Sequence, residues 1–237
     1  MKPAARFFLL LTLIFINFNC NKKANPTKEQ PGPVTLISGV DDTCRVEKGI
    51  DAIPDGDLIR IEWTAGDEST VFYEVFRGTA SSGTFNKMVT LEIPVQFFED
   101  QVPVPGIRYY YFIRALNDEG VESDPSDTLS YRLIQKADGL NPVGPCGSRP
   151  VFRWLDSNHA NYYIIRLEKI DSGNIVWLSM FQSPNFGDEQ QFISYNADRR
   201  ATQDSLSSGI QYRWRIDIVG NEKNSGSESS WTPIQIQ

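Results

Sequence analysis

Short runs of alternating apolar and polar residues, each closed by Gly, Pro, Asn, Asp or Ser, recur from Pro33 onward and restrict this chain more than any other feature. Period-two alternation puts successive side chains on opposite faces of a strand, so each run has one face to bury and one to leave in water. The expected strands of the first half are residues 34–38, 58–63, 72–77, 85–91, 95–98, 109–116 and 128–133. Ile59, Ile61 and Trp63 fall on one face of their run, as do Tyr73, Val75 and Arg77 of the next. Seven runs in about 100 residues match one antiparallel β-sandwich. Fourteen Phe and seventeen Gly, against three Met and one His, fit a turn-punctuated all-β protein rather than a helical one.

The second half repeats the pattern. Residues 151–154 answer 58–63, residues 162–167 answer the strand from Tyr73 to Arg77, and residues 175–178 answer 85–91. Gly209-Ile210-Gln211-Tyr212 aligns with Gly106-Ile107-Arg108-Tyr109 at an offset of 103, whereas Trp154 follows Trp63 by 91. The second copy therefore holds about twelve extra residues, expected within residues 180–205, where Ser, Asn, Asp and Gln dominate. The boundary between copies is expected near residues 134–140, giving bodies at 33–134 and 135–237.

These residues resemble the fibronectin type III family. Its pattern has a Trp on the second strand, Leu-x-Pro-Gly-x-x-Tyr opening the sixth, and Ala-x-Asn-x-x-Gly with a Ser a few residues on. The first copy supplies Trp63, Pro105-Gly106-Ile107-Arg108-Tyr109, Ala115-Leu116-Asn117-Asp118-Glu119-Gly120 and then Glu122-Ser123, with Pro103 where Leu is usual. The second supplies Trp154, residues 206–212 and Gly226-Ser227-Glu228-Ser229, with Ile218-Val219-Gly220 replacing the Ala-x-Asn element. The resemblance covers residues 33–237 and implies two tandem immunoglobulin-like β-sandwiches. It also implies that Trp63 and Trp154 fill the space between sheets, and that the hydroxyls of Tyr109 and Tyr212 reach back to the backbone where the chain crosses between sheets.

The amino terminus reads as an address. Lys2 and Arg6 precede the apolar run 7–18, and Asn19-Cys20 follows. That is the layout of a secretory signal, too short for a helix that must cross about 30 Å of hydrocarbon with roughly 20 apolar residues. It resembles a bacterial lipoprotein signal spanning residues 1–19, which implies that Cys20 is acylated as the first mature residue; a plain cleaved signal and a secreted protein are the alternative. Asn17-Phe18-Asn19 departs from the aliphatic and small residues usual there. Residues 20–32 then make a lipidated Cys and a flexible polar tether. Loss of Lys2 and Arg6 takes the net charge from −7 to −9, so the lipid would supply the membrane attachment. The implied location is the outer membrane or cell surface.

Chemistry is sparse. The acidic balance argues against nucleic acid as a partner. His159, the one imidazole, lies in a polar loop, and no Gly-x-Ser-x-Gly, Cys-x-x-Cys or His-x-x-x-His spacing occurs, so no enzyme, metal or cofactor is expected. Asp41-Asp42 and the acids of residues 51–57 read as solvated turns. Cys44 and Cys146 each fall between the first two strands of their own copy. A disulfide between them needs a bent, side-by-side arrangement, because end-to-end bodies would hold the α-carbons beyond roughly 7 Å. Two functions are expected: an adhesive, scaffolding or protein-binding module, or a carbohydrate-binding accessory in which Trp177, Phe181 and Phe186 contact glycan. The other reading of those three aromatics is plain packing.

Overall fold

The computed structural model describes residues 29–39, 45–54 and 56–237. The expected signal, Cys20 and Cys44 lie outside them. The described chain is all-β, without a helix. Sixteen strands follow in order: β1 (Asp51–Ile53), β2 (Leu58–Glu62), β3 (Phe72–Gly78), β4 (Asn86–Glu92), β5 (Phe97–Asp100), β6 (Arg108–Leu116), β7 (Leu129–Leu133), β8 (Asp138–Asn141), β9 (Gly144–Cys146), β10 (Val151–Leu155), β11 (Tyr162–Lys169), β12 (Ile175–Gln182), β13 (Gln190–Ser194), β14 (Gln211–Val219), β15 (Ser225–Glu228) and β16 (Thr232–Ile236).

They form two small sheets, β1-β2-β5 and β13-β10-β8, and one ten-stranded sheet whose main path runs β12-β11-β14-β15-β7-β6-β3-β4. Each small sheet lays its apolar face on one half of the large sheet, which gives β-sandwich packing with two separate cores. One core holds Ile59, Ile61 and Trp63 against Tyr73, Val75, Tyr111 and Ile113. The other holds Phe152 and Trp154 against Tyr163, Ile165, Leu167, Trp214 and Ile216.

The repeated residues do the same work in both. Trp63 meets the edge of Tyr73 at 5.4 Å between ring centres, and Trp154 meets Tyr163 at 5.0 Å. Before β6 and β14, Gly106 (φ +89°) and Gly209 (φ +78°) occupy a left-handed conformation that costs a glycine little. The backbone N–H groups of Val104 and Ser207 then donate to the hydroxyls of Tyr109 and Tyr212, at 3.2 and 3.1 Å. Past the far ends of those strands, Ser123 accepts from the N–H of Ala115 and Ser229 from that of Ile216, each at 3.0 Å, so a side chain continues the ladder where the next strand bends away.

Other elements differ from the alternation. Residues 34–38 give one bridge, Leu36 to Trp63, instead of a full strand, although Val34 and Leu36 are buried. β1, β8 and β13 lie where no strand was expected: in the acidic stretch, at the boundary, and within the insertion. Each gains its ladder from a neighbour, β2 for β1 and β10 for the other two. The extra residues of the second half are divided, 183–189 against 93–96 and 195–210 against 101–107.

The halves join through the backbone. β15 pairs in parallel with β7, Ser225 opposite Arg132 and Gly226 opposite Leu133. The N–H groups of Arg132 and Ile134 donate to the carbonyls of Asn224 and Gly226, at 3.0 and 3.1 Å. One sheet thus passes through both cores and sets them side by side.

Candidate functional site

Sheet parity builds the site. Along β14, Trp214, Ile216 and Ile218 enter the second core, so Arg213, Arg215 and Asp217 face the opposite way; on β11, Ile165 and Leu167 face in, and Arg166 and Glu168 out. In a lone sandwich that outer face would meet water. Here the segment carrying Glu47 and Asp51, from the first half, lies against it. Arg166, Arg215, Asp217 and Glu228 consequently keep only 4, 2, 7 and 4% of their surface exposed.

Register sets like beside like. Arg166 stands opposite Arg215, and Asp217 opposite Glu228. Directly opposed like charges destabilise a ladder unless others neutralise them, and the cluster does so across the pairs. Arg215 Nε lies 2.9 Å from Asp217 Oδ1 and its Nη1 2.8 Å from Glu228 Oε2. Arg166 reaches Asp217 at 3.3 Å and Glu47 at 2.8 Å, and Arg215 also pairs with Glu47. The Trp231 ring takes the guanidinium of Arg213 at 4.4 Å and that of Arg215 at 5.0 Å from its centre, while Arg213 Nε donates to Glu168 at 2.6 Å.

Burial pushes the Asp217 carboxyl above its ordinary range. Burial, followed by the charge of Asp217, pushes Glu228 well above its own. Arg215 is also buried, which opposes its charge, yet Asp217, Glu228 and Glu47 outweigh that and raise it. Tyr131, on β7, donates to Asp51 at 3.0 Å and is pushed well upward by burial and by that carboxylate. Ligand oxygens of Glu47, Asp217 and Glu228 lie within 4.8 Å of one another, a spacing that could suit a cation. Arg215 and Arg166 already serve as their counter-ions, so the arrangement is an ion-pair cluster. A cavity of about 380 Å³ opens beside it, lined by Tyr131, Ile164, Met180, Asp217 and Glu228 among others. At the rim, Arg108 and Arg132 hold Glu222 at 2.9 and 2.8 Å.

The aromatics expected to meet glycan require a correction. Trp177 has no exposed surface: residues 195–205 fold back over β12, Thr202 N–H donates to the Val176 carbonyl at 2.8 Å, and the Trp177 indole N–H donates to Asp198 at 2.9 Å. Phe181 packs 6.0 Å from both Trp154 and Tyr163. Phe186 alone of the three is well exposed, at 68%, so they present no common exposed face. Among the described residues Cys146 is a free, half-buried thiol on β9, raised by burial. Its suggested partner Cys44, like the acylation candidate Cys20, lies outside the described residues. His159 is exposed in a turn at φ +53°.

The cluster itself was missed in the sequence. The charges of residues 166–168 and 213–217 alternate with apolar residues, and nothing local announces the segment that covers them.

No family model and no curated protein matches this chain. Similar solved structures include the FN1–FN3 domains of chicken CNTN1, at 13% identity over 88% of this chain and 68% of that one, TM-score 0.38. A two-domain fibronectin type III segment of chicken tenascin is 14% identical over 86% and 97%, TM-score 0.33. Pectate lyase PelI of Erwinia chrysanthemi, in complex with tetragalacturonic acid, is 17% identical over 42% of this chain, TM-score 0.33. The chain spans only 28% of that lyase.

Proposed function

We propose that this chain is a non-enzymatic, lipid-anchored cell-envelope protein whose two tandem fibronectin type III-like sandwiches, 33–134 and 135–237, act as one scaffold that binds a protein partner. The observation that carries this reading is the ten-stranded sheet through both cores. Domains joined by a bare linker move relative to one another; strand pairing and a buried ion-pair cluster hold these at one spacing, so loops of both halves can meet a partner together. The glycan alternative draws less support, since Trp177 and Phe181 belong to the core. Acylation at Cys20 and a place in the outer membrane or at the cell surface rest on the signal alone.

Radiolabelled fatty acid fed to cells expressing the wild type or Cys20→Ala tests the anchor: label is expected in the wild type only, and label in both rejects it. For the partner, the immobilised mature chain is compared with Gly226→Ala, which disturbs the junction. Specific envelope proteins retained by the wild type and lost by the variant are expected. Binding to a glycan array, with no protein retained, would overturn the protein-binding reading.

A further inference from the structure

Glu47, Asp217 and Glu228 bring three carboxylates to a site that holds two guanidiniums, those of Arg166 and Arg215. Every group but Glu47 is more than nine-tenths buried. Among the described residues, charge facing the acids from the surrounding elements does not balance the excess, and Arg60 of β2 is taken by Glu99. From β14, Arg213 is engaged by Glu168 of β11. From β1, Asp51 adds another carboxylate, held by Tyr131 of β7. Arg132 of β7 is drawn to Glu222 at the rim, as is Arg108 of β6. The neighbouring β12 face offers the apolar Leu178 and Met180. Arg45 and Lys48 are exposed, and Lys223 stands in the 221–224 turn. The deeply buried groups balance, two guanidiniums against two carboxylates, and the part-exposed Glu47 with Asp51 tips the site negative; in such a site two carboxylates set opposite each other resist ionising together.

We infer that the junction between the halves is a proton-dependent latch. The closed arrangement keeps one proton on the Asp217–Glu228 pair, and loss of that proton to bulk water loosens the contact between the Glu47 segment with β7 on one side and β14–β15 on the other. The ordering of the groups makes this a property of the junction and not of either core: Glu47 comes from the first half, Arg166, Arg215, Asp217 and Glu228 from the second. Hydrating the carboxylates requires the covering segment to move away. The raised affinity of both acids for protons agrees with this geometry. The sign follows: the closed state binds more protons than the open one, so it is favoured at low pH and weakened as pH rises from the ordinary carboxylate range toward the value in the closed state.

The inference rests on the reading of two separately cored bodies, not on the lipid or on a partner. Amide hydrogen exchange on the full mature chain tests it, with rates corrected for base catalysis. The N–H groups of Arg132 and Ile134 cross the junction; those of Val75 and Ile165 lie in central strands of the two cores. Between pH 5 and 9, protection at Arg132 and Ile134 is expected to fall by up to about tenfold per pH unit through part of that window, with protection at Val75 and Ile165 nearly constant. Glu228→Gln, which keeps shape without the titrating proton, is expected to flatten that fall. Junction protection that does not change with pH in the wild type overturns the latch. Loss at junction and cores together instead overturns the two-body reading. If Glu228→Gln does not fold, carboxyl ¹³C titration of the wild type decides: Asp217 and Glu228 both ionising in the ordinary range reject the latch, and one delayed well above it supports the latch.

Discussion

At the scale of single residues, Tyr109 and Tyr212 show how much a short motif can carry. Each ring is buried, and each hydroxyl accepts one backbone N–H five residues upstream. Tyr109→Phe and Tyr212→Phe each remove one acceptor from a turn with little else to satisfy it. Each is expected to cost about 1 kcal/mol in urea unfolding, and the two losses should add because the sites are far apart. Both positions were legible because the Gly and the Tyr are fixed by local backbone geometry. Arg215 was legible only as a charge. Arg215→Met should cost about 3–5 kcal/mol, since it takes the guanidinium from the buried Glu228 and leaves Asp217 and Glu47 with Arg166 alone; on an exposed sheet face the same change would cost little. Combining it with Glu228→Gln should recover part of the loss, which a double-mutant cycle would measure.

Among the elements, β15 decides how the halves meet. A Cβ added at Gly226 would lie 2.8 Å from the Ile218 carbonyl oxygen and 3.1 Å from the Tyr131 hydroxyl. The β14 backbone on one side cannot give way and the buried Tyr131 of β7 closes the other, so Gly226→Ala should displace β15 from its place between β14 and β7 and cost about 1–3 kcal/mol. The expected signature is lost amide protection at Arg132 and Ile134 with both cores retained. Glu222→Ala, which removes the exposed bridge to Arg108 and Arg132, should leave the melting temperature almost unchanged, because exposed pairs contribute little. The strands with strong alternation, such as β2, β3, β6 and β11, were readable in the sequence. β1 and β8 were not: at three and four residues they are too short to show alternation, and a strand of that kind forms because an adjacent strand offers its edge.

For the whole molecule, two sets of acids oppose each other. Asp198 is partly buried, which by itself would raise its carboxyl, but Ser179, Trp177 and the N–H of Arg200 outweigh burial and lower it. Its contribution is therefore present above the unfolded value and is lost as pH falls through the lowered folded one. Asp217 and Glu228 act in the other direction, favouring the closed junction at low pH. Melting temperature measured against pH should fall on the acid side, and Asp198→Asn should reduce that slope while leaving the alkaline loosening of the junction in place.

The chain alone determined the all-β class, the repeated Trp and Pro-Gly or Ser-Gly turn before Tyr, and the size of the extra segment, because each depends on residues close in sequence or on strand period. It also kept open whether Trp177 and Phe181 were surface or core. Tertiary structure settled that, by folding residues 195–205 over β12, and it turned an ordinary charged sheet face into a buried cluster. The physical reason is the same in both cases. Alternation states that a strand has two faces, but which segment comes to lie on each is decided only when the whole chain packs.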